Sequence, residues 1–276
     1  AIEGTFDDCQ DLVKDMFADV DFSTRINMSA VNSINWARVM TQIVYYWWAS
    51  MQITDNGIVN FCVPSGNFGN IFAGFSAHNM GLPVEKFIVA SNRNDVLDRF
   101  FRNGEMELRD VAPTYSPSMD IQVSSNFERL LFEVFERDGL RVEQAFKALR
   151  SEGSLSVSGD TLAGIQRKWA SSKVSDSETL ARIKKISEEY GYVVDPHTAV
   201  GIEAAERHAG VSQAPIISLA TAHPSKFPDA VEEASGISPT LPSHLSDLYE
   251  REESYEILPN DEGAVKSYIL AQRKGE

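Results

Sequence analysis

One stretch of the chain constrains the fold more than any other, because a strand, a glycine loop, a helix and a second strand follow one another in it. The apolar run at 58–63 is followed by a loop with two glycines, a helical segment at 71–80 and another apolar run at 87–90. A nearly continuous apolar run of this length is typical of a strand that is buried on both faces. Strands that alternate with helices in this way form parallel sheets. The sequence therefore predicts an α/β fold, with an open and largely parallel sheet flanked by helices.

The rest of the chain adds one further strand and many helical segments. The run at 215–220 predicts a strand of the same buried type. Apolar spacing predicts helices at 5–17, 127–137, 142–149, 161–170, 177–190 and 198–208, and in the charged tail from 243. Capping residues predict two more, one from an N-cap at Asn32 or Ser33 through 49 and one from an N-cap at Asn94 to 102. The predicted strands are too few for a complete sheet of this kind, so we expect an incomplete architecture with added helical segments.

Charge and cysteine content exclude several classes of function. The 276 residues carry 25 Lys and Arg against 40 Asp and Glu, a net charge of −15, which argues against nucleic-acid or membrane-surface partners. The longest apolar stretch, 43–49, is far shorter than the ~20 residues that span a bilayer. Two cysteines form no disulfide framework, so we expect a cytoplasmic protein. Five scattered histidines and no CxxC or HExxH spacing predict no metal site. The sequence does not predict an oligomeric state.

The first residues do not look like a natural start. Residues 1–4 (Ala-Ile-Glu-Gly) are typical of a strand end that enters a loop, and no Met opens the chain. We interpret the chain as a piece of a longer protein that begins just before a βα unit. The alternative is a short edge strand at a processed terminus.

The loop between the first strand and its helix predicts an anion site. Gly66 and Gly69 lie three residues apart in 63–70 (Val-Pro-Ser-Gly-Asn-Phe-Gly-Asn), where they let several backbone N–H groups turn toward one point. The positive end of the following helix adds to this attraction, so a phosphate can be held without cations. The loop lacks the Lys-Ser/Thr of a P-loop and the GxGxxG of a dinucleotide fold. The alternative is a tight turn that needs glycine for its backbone angles.

Two other positions are candidates for the same crevice. Thr221 follows the strand at 215–220, and ligands of open α/β sheets collect beyond the carboxyl ends of strands. Opposite a pyridine nitrogen, a neutral Thr hydroxyl would leave that nitrogen unprotonated; alternatively, Thr221 satisfies a backbone group. Asn32, Ser33 and Arg38 lie at a helix start, where the Arg fork can hold a substrate anion; alternatively, they are caps and a solvated side chain.

Two histidines are expected to be structural. His197 lies in Asp-Pro-His-Thr at 195–198, and His223 follows the strand and Thr221. We predict that both satisfy backbone groups of loops rather than take part in catalysis.

Taken together, these residues resemble the threonine synthase family, a fold type II family dependent on pyridoxal 5′-phosphate. The matching segments occur in the family's order and are far more specific than a lone glycine loop; they are 2–10, 32–35, 63–70, 81–84, 92–95, 118–121, 125–130 and 221–227. The resemblance covers essentially the whole chain, but only the C-terminal majority of the family's length.

The resemblance implies a role for each candidate residue. The cofactor phosphate would be held at Gly66, Asn67, Phe68, Gly69 and Asn70, the pyridine nitrogen would meet Thr221, and the substrate phosphate would bind Asn32, Ser33 and Arg38, with Asn67 also touching substrate. The implied reaction converts O-phospho-L-homoserine and water to L-threonine and phosphate. It proceeds by α-proton abstraction, γ-elimination of phosphate and addition of water at the β-carbon, with the cofactor as electron sink.

One departure from the family pattern is as informative as the matches. The family's Schiff-base lysine lies upstream, in a segment that this chain does not contain. Lys14 precedes Asp15 as that lysine precedes an Asp, but it lies in an amphipathic helix and is interpreted as a surface residue, and Lys226 is not the equivalent lysine. We therefore expect a parent enzyme that is a carbon–oxygen lyase acting on phosphate, and an inactive 276-residue piece.

The domain organisation follows from the same resemblance. Residues 1–276 would form the C-terminal portion of the catalytic core. Within it, about 1–230 would be the α/β cofactor-binding part with a helical insertion, and about 231–276 a C-terminal helical tail.

Two alternatives remain open from the sequence. Another fold type II lyase, such as a serine or threonine dehydratase, would share the cofactor but not the phosphorylated substrate. A noncatalytic module that binds phosphate or a partner would explain the missing lysine. An upstream in-frame segment with a Lys-Asp motif would support the enzyme.

Overall fold

The computed structural model describes residues 1–4, 6–29, 32, 35–54 and 57–273. The chain divides into two compact units, of which the larger runs from Asn32 to Leu241 and the smaller combines Ala1–Val31 with Pro242–Glu276. Every candidate site residue belongs to the larger unit.

The elements of the described residues alternate between strands and helices over much of the chain. The strands are β1 (Val59–Pro64), β2 (Val84–Ser91), β3 (Glu105–Glu107), β4 (Ser154–Ser156), β5 (Trp169–Lys173) and β6 (Ile216–Ser218). The helices are α1 (Phe6–Ala18), α2 (Val20–Ile26), α3 (Trp36–Ile53), α4 (Gly69–Asn79), α5 (Val96–Asn103), α6 (Phe127–Val134), α7 (Gly139–Glu152), α8 (Gly159–Lys168), α9 (Asp176–Tyr190), α10 (Pro196–His208), α11 (Pro228–Ser235) and α12 (Glu262–Arg273).

A four-stranded parallel sheet forms the centre of the larger unit. Its strand order is β5-β2-β1-β6, while β3 and β4 pair separately as a short antiparallel ribbon. In the register of the sheet, Cys62 of β1 lies opposite Ile88 of β2 on one side and Ser218 of β6 on the other. The predicted parallel α/β architecture is confirmed.

Both faces of this sheet are covered, which explains the nearly continuous apolar runs of its central strands. Phe61 and Val63 of β1 point into a large core shared with α3, α4 and α5, whereas Cys62 points to the opposite face, where Val200 and Ala204 of α10 pack. Contact with α10 is close, because a Cβ on Gly201 would lie 2.9 Å from Pro64 Cγ. A larger residue at this position would push the helix off the sheet.

Three local predictions in the larger unit are wrong. The helix predicted over 161–170 ends at Lys168, and Trp169 instead begins strand β5, which pairs with β2. The N-cap of α3 is Asn35, whose Oδ1 accepts from the Ala37 N–H at 3.0 Å, rather than Asn32. The Asn94 side chain does not cap α5, because it binds elsewhere.

The smaller unit is built from the two ends of the chain. A bridge joins Ile2 to Leu258, and Leu12, Phe22 and Val265 are members of its core. The helix predicted for the whole tail from 243 is partly wrong: single 3₁₀ turns occupy Ser243–Leu245 and Leu248–Glu250, and only α12 is α-helical. Our division of the chain near residue 230 stays a prediction.

The described part of the chain offers neither a membrane-spanning helix nor a metal-binding cluster. Within those residues, no helix has the length and apolar content needed to cross a membrane. The same residues contain no cluster of three His, Cys, Asp or Glu side chains that could hold a metal ion. Both cysteines are free thiols, and burial raises the pKa of the Cys62 thiol well above its ordinary value.

Candidate anion site at the carboxyl edge of the sheet

The loop from 65 to 68 turns the chain sharply from β1 into α4. The Ser65 N–H donates to the Ala90 oxygen at 2.9 Å, so pairing with β2 continues to the first residue of the loop. Phe68, the N-cap residue of α4, has a φ of +58°, which non-glycine residues adopt uncommonly. Its buried ring packs against Phe101, Phe127 and Trp169, with centroids 5.3 to 6.0 Å away. This packing holds the strained residue in place.

Neighbouring side chains bind carbonyl groups of the loop rather than its N–H groups. The Ser124 hydroxyl donates to the Gly66 oxygen at 2.7 Å, and the Asn126 side-chain amide donates to the Asn67 oxygen at 2.9 Å. Within the described part of the chain, the backbone N–H groups of 66–69 have no hydrogen-bond acceptor, and no side chain caps α4. Unpaired N–H groups at a helix N-terminus attract an anion without any cation.

Gly66 is required by the backbone behind it. A Cβ at this position would lie 2.6 Å from the Ser118 carbonyl oxygen and 3.2 Å from Met119 Cα, both in the 3₁₀ turn Pro117–Met119. That turn is itself fixed, because Asp120 Oδ1 accepts from the side-chain amides of Asn92 and Asn94 at 2.8 Å each. The glycine is therefore explained by close backbone approach, and φ at this residue is not positive.

Asn70, in the first turn of α4, is bound by two tyrosines of α3. The hydroxyl of Tyr45 donates to Asn70 Oδ1 at 2.5 Å, and that of Tyr46 donates to the Asn70 backbone oxygen at 2.9 Å. Burial raises the pKa of Tyr45 to about 12, against the opposing effect of the Arg38 charge. With Oδ1 used by tyrosine, the Nδ2 amide of Asn70 is the group left to donate.

The start of α3 lies near this part of the site. Arg38 is exposed, and its charge acts on Tyr45, which itself binds Asn70. Asn32 is half-buried, and its backbone oxygen accepts from the Asn35 N–H at 3.1 Å. Ser33 lies outside the described residues. Arg38 and Asn70 are thus connected through one tyrosine, while the binding roles of Asn32, Ser33 and Arg38 stay predictions.

Thr221 lies at the same end of the sheet as the glycine loop, beyond the carboxyl ends of the strands. Strands β1 and β6 are parallel neighbours, and the Leu219 N–H donates to the Cys62 oxygen at 3.0 Å, which extends their pairing. Thr221 follows two residues later and is exposed, and its N–H donates to the Thr198 hydroxyl at 3.3 Å. The carboxyl end of an open parallel sheet is where ligands of such folds bind.

The two histidines bind backbone groups, as predicted. His197 Nε2 accepts from the Ser118 N–H at 3.2 Å, and its Nδ1 lies 2.9 Å from Asp195 Oδ1. His223 Nδ1 accepts from the Ser225 N–H at 3.2 Å. Lys14, as expected of a surface residue, is exposed and pairs with Asp11 at 2.8 Å.

Several residues of the site were missed from the sequence. Ser124 and Asn126 hold the loop carbonyls from 58 and 59 residues away, and no local pattern marks such partners. Asp195 carried a signal, because Asp followed by Pro is typical of an N-cap and first helical residue. That signal predicts a helix start, but not that the helix begins beside the site.

Known proteins resemble this chain over nearly its whole length. The family model described as "Threonine synthase, C-terminal" matches residues 198–269. A curated threonine synthase from Pseudomonas aeruginosa is 48% identical over 271 residues, which make up 98% of this chain and 58% of the relative. The chain thus spans a little more than half the length of that relative.

Solved structures agree over the same span. A PLP-bound threonine synthase from Brucella melitensis superposes with a TM-score of 0.90 at 47% identity, over 98% of this chain and 58% of that one. A yeast threonine synthase superposes with a TM-score of 0.86 at 40% identity, over 100% of this chain and 59% of that one. Identity at this level across nearly all of the chain, on the same sheet and helices, shows that the chain belongs to the threonine synthase family.

Proposed function

We propose that this chain supplies the cofactor-binding side of a threonine synthase, which uses pyridoxal 5′-phosphate to convert O-phospho-L-homoserine and water to L-threonine and phosphate. One observation carries the proposal: the consecutive N–H groups of 66–69 lie at the start of α4 without an acceptor among the described residues, while the Gly66 and Asn67 carbonyls are bound by Ser124 and Asn126. The match to a PLP-bound relative at 47% identity supports it.

The residues of the site fit this cofactor in charge and in position. Four backbone donors and a helix N-terminus suit the phosphate group, and they do so in a chain of net charge −15, where a cluster of basic side chains is not needed. Thr221 lies at the same sheet edge and offers a hydroxyl to the ring nitrogen. A hydroxyl, unlike a carboxylate, does not favour protonation of that nitrogen.

When bound, the cofactor supplies an electron sink for cleavage of bonds at the amino-acid substrate. The chain's own residues supply binding and orientation. The amides of 66–69 would hold the cofactor's phosphate group and the hydroxyl of Thr221 its ring nitrogen, which would orient the cofactor between them. Asn70 Nδ2, with its oxygen bound by Tyr45, adds a side-chain donor beside the amides.

The substrate phosphate is assigned to the start of α3. Arg38 is exposed and forms no ion pair with any described residue, so its guanidinium is available for a phosphate ester. Donors from Asn32 and Ser33 would complete this subsite. Binding of the phosphate by a cation stabilises the negative charge that grows on it as the carbon–oxygen bond breaks.

Ligand binding tests this proposal on the chain's own residues. Pyridoxine 5′-phosphate and pyridoxine have no aldehyde and therefore do not react with surface lysines, so calorimetry with both isolates the phosphate contribution. We expect the phosphorylated ligand to bind at least about tenfold more tightly, since each hydrogen bond to a charged group contributes about 1.5–3 kcal/mol. Equal affinity for the two ligands would refute the anion site.

Turnover tests the activity as a whole. A threonine synthase saturated with pyridoxal 5′-phosphate releases phosphate from O-phospho-L-homoserine and forms an equal amount of L-threonine. Deamination of serine or threonine without phosphate release would instead identify a dehydratase. Placement of the Schiff-base lysine outside this chain, and inactivity of the 276 residues alone, stay predictions.

A further inference from the structure

A single buried carboxylate lies behind both halves of the candidate site. Asp195 is the N-cap of α10 and is 0% exposed. Its oxygens accept from four donors, which are the backbone N–H and ring Nδ1 of His197 and the backbone N–H and hydroxyl of Thr198. Neither His197 nor Thr198 is more than 4% exposed.

The first branch leads to the loop from 65 to 68, which we call the phosphate loop after its proposed role. His197 Nε2 accepts from the Ser118 N–H at 3.2 Å, so the ring hydrogen is on Nδ1 and points at Asp195. The carbonyl oxygen of the same Ser118 is the atom against which Gly66 packs. Phe227 lies against the imidazole with ring centroids 4.6 Å apart, which fixes its plane. The position of the loop's backing turn thus depends on the direction of His197.

The second branch leads to Thr221. The Thr198 hydroxyl has one hydrogen, which it donates to Asp195 Oδ2. Its lone pairs are therefore free to accept, and the Thr221 N–H donates to this oxygen at 3.3 Å. The backbone of Thr221 is held at the point where the chain leaves β6.

We propose that Asp195 is the positioning residue that fixes the phosphate loop and Thr221 relative to each other, an inference that rests on the proposed function. A carboxylate only accepts hydrogen bonds, so it draws the hydrogens of His197 and Thr198 inward. Their lone pairs then face outward, onto the N–H groups of Ser118 and Thr221. An amide in the same place would turn a donor toward one of these donors, so at least one branch would reverse or break.

Two variants cut the branches separately. His197→Phe keeps the ring and its contact with Phe227 but removes the acceptor for Ser118. Thr198→Val keeps the shape but removes the acceptor for Thr221. Calorimetry is carried out with Arg38→Ala in every protein compared, so that the phosphate site assigned to the start of α3 is removed. It measures the affinity for inorganic phosphate, which then reports on the loop, and for pyridoxine, which reports on the ring contact.

The two variants should lose different ligands. We expect H197F to bind phosphate about fivefold to tenfold more weakly with pyridoxine affinity nearly unchanged, since an N–H group loses its acceptor behind the loop only. T198V should show the opposite pattern, and Thr198→Ser, which keeps the hydroxyl, should restore pyridoxine binding. Asp195→Asn should weaken both ligands.

The controls separate positioning from general stability. Thr179→Val removes another buried hydroxyl near a helix start, where it donates to the Ser175 oxygen at 2.9 Å, and should change neither affinity. If H197F and T198V each weaken both ligands by the same factor, or weaken neither, the positioning role is overturned. If wild-type protein binds pyridoxine 5′-phosphate no better than pyridoxine, the proposed function itself fails, and this inference fails with it.

Discussion

Replacing Gly66 by Ala tests the close packing behind the phosphate loop. The added Cβ would lie 2.6 Å from the Ser118 oxygen and 3.2 Å from Met119 Cα, and both neighbours are backbone atoms that cannot rotate away. The turn that carries them is held by His197 on one side and by Asp120 on the other. The loop must therefore move rather than its backing.

The magnitude follows from two opposing effects. Insertion of a methyl group into a tightly packed site costs about 1–3 kcal/mol. Since Gly66 does not have a positive φ, alanine also restricts the unfolded chain, which returns about 0.4–1 kcal/mol. We expect a net loss of roughly 1–2 kcal/mol in the free energy of unfolding. Displaced amides should weaken binding of pyridoxine 5′-phosphate at least about tenfold, which corresponds to about 1.4 kcal/mol.

Urea denaturation and calorimetry measure the two effects on the same preparations. Gly164→Ala, inside α8, is the matched control, because its Cβ meets only the flexible Arg167 guanidinium at 3.4 Å. Since alanine favours a helix interior by about 0.8–1.0 kcal/mol over glycine, G164A should be more stable and bind normally. A G66A protein with wild-type stability and affinity would show that the turn yields easily, and would refute the reasoning.

Three other predictions concern single side chains. Arg38→Ala should raise KM for O-phospho-L-homoserine about tenfold or more in an active threonine synthase, with pyridoxine 5′-phosphate affinity unchanged; steady-state kinetics with an unaltered KM would remove its assigned role. Tyr45→Phe should eliminate a tyrosinate absorbance step near the pKa of about 12. In the wild type, the stability linked to Tyr45 is present below pH ~10 and is lost as pH rises through that pKa, and Tyr45→Phe should remove this pH dependence. Burial alone would raise the pKa of Asp95, but Lys173 at 2.9 Å and Arg99 at 3.0 Å lower it on balance. Stability from Asp95 is thus present above the unfolded pKa of ~3.9 and lost as pH falls through the folded value, so Asp95→Asn should flatten acid unfolding curves in that window, and identical curves would contradict the assignment.

The central strands were predictable because their own residues indicate that they are buried. Burial on both faces favours apolar side chains, which occupy 59 and 61–63, and the glycine pair marks a loop with unusual backbone needs. Strand β5 was missed because it lies at the sheet edge, where Ser171, Ser172 and Lys173 are only partly buried or exposed. Its identity comes from pairing with β2, some eighty residues earlier, which no local pattern contains.

The start of α3 shows a different limit. Asn32, Ser33 and Asn35 are all good N-cap residues within four positions, so local propensity does not choose among them. In the structure, Asn35 is the N-cap of α3. Trp36 then begins the helix and packs edge-on against Phe72 of α4 at 6.5 Å, a tertiary contact that helps to place this start. For the same reason, the sequence predicted Arg38 and Asn70 as separate candidates, but did not indicate that Tyr45 binds Asn70.

The anion binding that we propose for the loop depends on the packing of one uncharged side chain. Left alone, a segment with Phe at a positive φ would relax toward the more common backbone regions, and its amides would no longer converge. The ring of Phe68 prevents this, because it is 2% exposed and packed among Phe101, Phe127 and Trp169. Ser124 and Asn126 then bind the carbonyls that would otherwise compete for the amides. In the proposed function, an acidic chain would hold an anion mainly by backbone groups, since burial of one aromatic ring sets the direction of the N–H dipoles at the start of α4.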